Sequence, residues 1–301
     1  MPPSFSEFAS FLAADCRRAE FIVSFLQSRG GGATVFSLGG KRHIYVRFSD
    51  GAYNSAYRIK TVIAHYDRVA GSPGANDNSA AVFCLLEWAV RLLHMDGFHN
   101  VQLLFTDGEE LGEHGVAEQG AYAVAALFRR LGLTHDDIYV FDCVGRGMLP
   151  VVGSTAGLVH PSYAFLKQLT DLEQRAGAIF HRAGYSRWLT LPLSYSDNAG
   201  FLACGIPAVV ITLLPEVEAN RYRVMLAKEK KLAAFVMRKK EAGCFDDTPE
   251  SVLERQRLMA LLPETWQRFH TAADSLDSLD AESFEATARI LDALAKERTP
   301  A

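Results

Sequence analysis

Residues 59–110, IKTVIAHYDRVAGSPGANDNSAAVFCLLEWAVRLLHMDGFHNVQLLFTDGEE, restrict the fold more than any other part of the sequence. Two apolar runs, 61–64 and 101–106, are too short for helices and rich in residues that suit buried strands. Between them Ala81, Val82, Leu85, Leu86, Ala89, Leu92 and Leu93 recur three and four apart, the stripe of a helix packed on a sheet. The stretch is a strand-helix-strand unit. In open sheets built from such units the ligand crevice lies beyond the C-terminal ends of the strands. His65 and Asp67 follow the first strand, Asp77 precedes the helix, and Asp107, Glu109 and Glu110 follow the second strand.

The same alternation runs through the rest of the chain. Apolar spacing predicts a helix over 5–26, stopped by the glycines 30–32, and an edge hairpin of strands 34–37 and 43–48 turning at Gly39-Gly40. Helices follow over 120–131, 160–176 and 281–294, and buried strands over 137–141 and 206–213, with a small strand at Val151-Val152. Asp142 closes the strand 137–141 and so sits at the same station as His65 and Glu109. This pattern implies an α/β fold, a three-layer α/β/α sandwich whose mixed, mostly parallel sheet carries helices on both faces. Residues 1–301 read as one domain. Within it 215–265 is rich in Lys, Arg and Glu and holds two amphipathic helical patterns, the second capped by Thr248 with Pro249 in its first turn. We expect a charged helical insertion there. Its place just before His270 marks it as a lid or an oligomer contact.

Composition excludes several classes of function. A net charge of -4 offers no basic footprint for nucleic acid. No run approaches the length of a membrane span, and the N-terminus lacks the basic start and cleavage site of a signal peptide, so a cytoplasmic location without a membrane partner is expected. Five cysteines without CxxC spacing point to free thiols. GSTAG at 153–157 is not a nucleophile elbow, because position 152 is Val, and there is no HExxH. His114, His135, His160 and His181 lack a strand-end context and read as surface or packing residues.

If the strands are neighbours, the acids at their ends converge with His65 and, from the segment FHTAADSLD, with His270. Carboxylates brought that close repel and raise one another's pKa unless a cation joins them. Oxygen and imidazole donors without thiolate suit zinc and related divalent ions, and more often in catalytic than in structural sites. Five such ligands hold two ions if one carboxylate bridges, an arrangement suited to hydrolysis. Neighbouring side chains of an extended segment point opposite ways, so of the pair Glu109-Glu110 one can bind metal while the other serves as general base.

In order, AHYD, SPGANDNSA, FTDGEELG, FDCVGRG, SDNAGFLACGIPAV and FHTAADSLD resemble the motifs of the zinc-dependent aminopeptidases with a co-catalytic metal pair, relatives of the glutaminyl cyclases and the transferrin receptor ectodomain. The resemblance implies a metal-dependent exopeptidase acting on peptides with a free N-terminus and using two zinc ions. It makes His65, Asp77 and Asp142 the ligands of one zinc and Asp77, Glu110 and His270 those of the other, with Asp77 bridging. It makes Glu109 the general base, Asp67 the partner that orients His65, and Asp197 a supporting acid behind the ligands. It also implies a cis peptide between Asp77 and Asn78. The alternatives are a glutaminyl cyclase using one zinc, and a noncatalytic relative. Two residues depart from the family pattern: Asn198 stands where SDH is usual, and Phe269 stands where a tyrosine or tryptophan precedes the last ligand.

Overall fold

The computed structural model describes residues 5–111, 115–154, 161–237 and 248–301; His114, His160 and Cys244 lie outside them. Among the described residues eight strands form one sheet in the order β1-β2-β4-β3-β5-β8-β6-β7. They are β1 Thr34–Leu38, β2 Lys41–Val46, β3 Lys60–His65, β4 Val101–Thr106, β5 Asp137–Phe141, β6 Leu149–Gly153, β7 Leu189–Leu191 and β8 Ala208–Leu214. The central strands β4, β3, β5 and β8 run parallel, while the β1-β2 hairpin and β6 add antiparallel pairings. The mixed, mostly parallel sheet expected from the sequence is present.

Strand periodicity divides the core in two. Val62 and Ala64 of β3, Leu103 and Phe105 of β4, and Tyr139 and Phe141 of β5 point to one face. Ile63, Leu104, Ile138 and Val140 point to the other. The first face is covered by α1 Phe5–Leu12, α2 Arg18–Gln27, α3 Ala80–Leu93, α5 Tyr163–Arg182 and α11 Ala281–Lys296. The second is covered by α4 Gly120–Arg130, α6 Asn198–Ala203, α7 Glu216–Lys228 and α8 Lys230–Met237, with Leu258 of α9 Pro249–Met259 and Trp266 of α10 Glu264–Gln267 packed beside them. The result is a three-layer sandwich. No helix among the described residues is long and apolar enough to cross a membrane. Cys16, Cys84, Cys143 and Cys204 are free thiols.

Three of the expected helices differ from the sequence-based reading, and β7 and α6 were not expected. The helix over 5–26 is broken into α1 and α2, because the carbonyls of Leu12 and Ala13 accept hydrogen bonds from the Arg68 guanidinium at 2.7 and 2.9 Å instead of continuing the ladder. Helix α5 begins at Tyr163 and runs on to Arg182, with Gly177 inside it making room for the Trp188 indole. The charged stretch 216–237 forms two helices, α7 and α8, that meet at Glu229. Thr248 caps α9 as its sequence implies, accepting from Ser251 N.

Candidate metal centre

The chain leaves β3, crosses to β4 on one side, and later returns to β5 on the other. Loops that part in opposite directions leave a crevice at the C-terminal end of β3. His65 is the last residue of β3, Asp142 follows β5 directly, and Glu109 and Glu110 follow β4. Asp77 comes from the irregular turn Ala75–Ser79 that leads into α3, and its peptide bond to Asn78 is cis, as the resemblance implied. His270, at a φ of 62°, comes from the segment that follows α10.

Four side chains meet at β3. His65 is fully buried, and its Nε2 lies 3.3 Å from Asp77 Oδ1 and 3.7 Å from Asp142 Oδ1. Its Nδ1 lies 3.4 Å from Asp67 Oδ1. The other oxygen of Asp77, Oδ2, faces His270 Nε2 at 3.4 Å, and the same nitrogen lies 3.0 Å from Glu110 Oε2. Asp77 is therefore common to two clusters, His65-Asp77-Asp142 and Asp77-Glu110-His270, within each of which the donor atoms lie within 4.8 Å of one another.

The electrostatics of this arrangement call for positive charge. Burial opposes a charge on His65, yet the facing carboxylates of Asp142, Asp67 and Asp77 outweigh it and raise the imidazole well above its usual range. Asp77 and Glu110 raise His270 to about 10. Glu110 is pushed up to about 7, by burial first and then by repulsion from Asp77. On the side that faces the cluster, His65 Nε2 and Glu110 Oε1 are buried without a hydrogen-bond partner among the described residues. Such orphaned donors and acceptors are costly unless something else satisfies them. Zinc fits. Tetrahedral bonds of about 2.0–2.1 Å imply ligand-ligand edges of about 3.3–3.4 Å. Three of the four histidine-carboxylate separations within the two clusters, 3.3, 3.4 and 3.7 Å, are close to that edge and too long for good hydrogen bonds, while the fourth, His270 to Glu110 at 3.0 Å, is of hydrogen-bond length.

Buried polar residues hold this ring in place. Asp67 Oδ1 and Oδ2 accept the backbone N–H groups of Glu109 and Glu110 at 3.1 and 3.0 Å, so one carboxylate ties the turn after β4 to the ring of His65. Asp274 accepts from the backbone N–H groups of Asn76 and Asp77 at 2.7 and 3.1 Å. Asn78 spans to the end of β5, donating to Phe141 O and accepting from Cys143 N. The buried Arg18 guanidinium donates to Tyr66 O, Pro73 O and Ser79 Oγ, and so pins the loop between β3 and α3. Asp197 is fully buried and accepts from Thr106 Oγ1 at 2.6 Å, Thr106 being the register partner of His65. Burial lifts the Asp197 carboxyl to about 6.

All the site residues singled out from sequence lie at this end of the sheet. Asp274, Asn76, Arg18 and Gln119 are not among them, and Asn78 is named from sequence for its place after Asp77 and not for these contacts. Asp274 and Asn76 lie within the motifs already quoted and can be read from them; Arg18 and Gln119 carry no local signal.

The chain matches peptidase family M28 over residues 46–295. It belongs to that family. Solved structures share the M28 fold at low identity. The LapA aminopeptidase of Legionella pneumophila has a TM-score of 0.62 and 14% identity over 97% of this chain and 69% of that one. The Bacteroides thetaiotaomicron glutaminyl cyclase bound to N-acetylhistamine has a TM-score of 0.61 and 15% identity over 99% of this chain and 100% of that one. A zinc aminopeptidase from Bacillus subtilis has a TM-score of 0.51 and 18% identity over 85% and 49%, so this chain spans about half of it. No curated protein matches the sequence significantly. Aminopeptidases and glutaminyl cyclases thus share this architecture, and the side chains of the site have to decide between them.

Beside the M28 site lies a cavity of about 40 Å³ between Asp142 and Phe269, walled by Leu193, Val210 and Trp266. Helices α7 and α10 shape this wall: Glu218 of α7 accepts from Thr265 N at 2.8 Å, and Tyr222 packs edge-on against Trp266 at 5.0 Å.

Proposed function

We propose that this M28 member is a zinc-dependent aminopeptidase. The observation that carries the reading is the position of Asp77, whose two oxygens face different histidines at 3.3 and 3.4 Å, each within its own group of three donors. His65, Asp77 and Asp142 would hold one ion, and Asp77, Glu110 and His270 the other. A set of imidazole and carboxylate donors without thiolate is typical of zinc sites that do chemistry. When bound, the pair would polarise the scissile carbonyl and make a water acidic enough to ionise near neutral pH.

The chain's own groups supply the rest. Glu109 would take the proton from the attacking water and return it to the departing amine. Asp67 fixes the His65 ring through Nδ1 and holds the backbone that carries Glu109 and Glu110. The cavity beside Asp142 and Phe269 would receive the N-terminal side chain of the peptide. The charged stretch 215–265 would serve as a lid or an oligomer contact.

The test is turnover of a leucyl anilide and of an N-terminal glutaminyl peptide by zinc-loaded protein. The reading predicts amine release from the first. Ring closure on the second with loss of its side-chain nitrogen as ammonia, and no amine release from the first, would make the protein a cyclase, and no turnover of either would make it a binding module. Glu109→Ala should retain metal and lose roughly 10²-fold in rate; a loss below threefold removes Glu109 as the base.

A further inference from the structure

We propose that Gln119 is the positioning residue for Glu109, and that Gly120 makes this possible. The proposal rests on the reading of Glu109 as general base. Gln119 is 1% exposed, and its amide Nε2 donates to Glu109 Oε1 at 2.6 Å and to the Glu109 backbone carbonyl at 3.2 Å. Both neighbours are acceptors, so the amide must present its nitrogen; the flipped orientation would set oxygen against oxygen. The fork holds both the main chain and the carboxylate of one residue.

The close approach comes from the next position. At Gly120 an added Cβ would lie 1.8 Å from the Asp107 carbonyl oxygen and 2.7 Å from His43 Cε1. Gly120 N donates to Gly108 O at 3.2 Å, which joins the start of α4 to the turn carrying Glu109. Any side chain at 120 would push the segments apart and withdraw the Gln119 amide. The sequence Gln119-Gly120 therefore works as a unit: the glycine sets the distance and the glutamine sets the carboxylate. An amide suits this task because it donates a hydrogen bond yet does not bind a proton near neutral pH, so it cannot compete with Glu109 for the proton being moved.

Four variants test this: Gln119→Ala, the isosteric Gln119→Glu, which replaces the neutral amide with a carboxyl that competes with Glu109 for a proton, the shortened amide Gln119→Asn, and Gly120→Ala. Gln119→Ala and Gln119→Glu should lower kcat 10- to 100-fold with KM within threefold, Gln119→Asn should recover part of the loss, and Gly120→Ala should resemble Gln119→Ala. Zinc affinity, measured by competition with a chelating dye, should stay within threefold, since Gln119 touches no proposed ligand. In a Glu109→Ala background, Gln119→Ala should cost nothing further. A crystal structure of zinc-free Gln119→Ala should show the Glu109 carboxylate moved from its wild-type position, a readout independent of turnover. The proposal is overturned if that carboxylate stays in place, or if Gln119→Ala keeps full kcat while Glu109→Ala is inactive. If Glu109→Ala itself keeps activity, the reading of Glu109 as the base has failed instead, and the crystal structure still decides whether Gln119 positions it.

Discussion

Replacing Asp67 with asparagine tests the support of the site most sharply. Asp67 Oδ1 serves both His65 Nδ1 and Glu109 N, while Oδ2 serves Glu110 N alone. An amide keeps one acceptor and gains a donor. The cheaper orientation keeps oxygen at the Oδ1 position and sets an NH₂ against the Glu110 N–H, so the residue released is Glu110, a proposed ligand. Losing one charge-assisted hydrogen bond and stranding a partly buried N–H costs about 2–4 kcal/mol, a fall in Tm of about 3–6 °C for a chain of 301 residues. Loss of a carboxylate behind a metal-bound histidine typically costs about 10- to 100-fold in metal affinity. The assays are zinc titration against a chelating dye and thermal unfolding of zinc-free protein. The stability difference should also depend on pH. Burial opposes ionisation of Asp67, but His65 and the two backbone N–H groups outweigh it and hold the carboxyl below the usual aspartate range. Its contribution is therefore complete above the unfolded-state value near 4 and fades as pH falls through the folded-state value. Unchanged zinc affinity together with an unchanged Tm would refute this account of Asp67.

Other predictions concern the fold and the pocket. Lys60 is buried at the start of β3, donating to Glu297 O at 2.6 Å, and burial pushes its pKa down to about 7. Above pH 7 the unfolded chain holds a proton that the folded one releases, so this group makes stability rise with pH from 7 towards 10, by up to about 1.4 kcal/mol per unit. Lys60→Met should flatten the slope of unfolding free energy in that window; an unaltered slope would show that Lys60 keeps its proton. The cavity beside Asp142 is walled mainly by Leu193, Val210, Trp266 and Phe269. A second carboxylate placed there would be partly desolvated beside Asp142, so leucyl anilide should exceed glutamyl anilide in kcat/KM by at least about tenfold, and a preference for glutamyl would show that the side chain binds elsewhere.

The sequence carried the parts of this architecture that depend on local periodicity. Strands β3, β4 and β5 were visible because each is an unbroken apolar run, and their ends named His65, Asp142, Glu109 and Glu110 before any spatial relation was known. What escaped depends on contacts distant in the chain. The break between α1 and α2 is set by Arg68, 55 and 56 positions away from the carbonyls that it binds. Strand β7, Leu189–Leu191, is only 3 residues long and exists through its pairing with β6. The link from Gln119 to Glu109 needs the contact of Gly120 with Asp107, which no local pattern announces.

Metal stoichiometry in wild type and three single variants tests the shared carboxylate most directly. By metal analysis after dialysis against dilute zinc, the wild-type protein should hold two equivalents, His65→Ala and His270→Ala one each, and Asp77→Ala close to none, with circular dichroism confirming that each is folded. A wild type holding one equivalent or fewer, or an Asp77→Ala protein that still holds one tightly, would contradict a bridging role for Asp77.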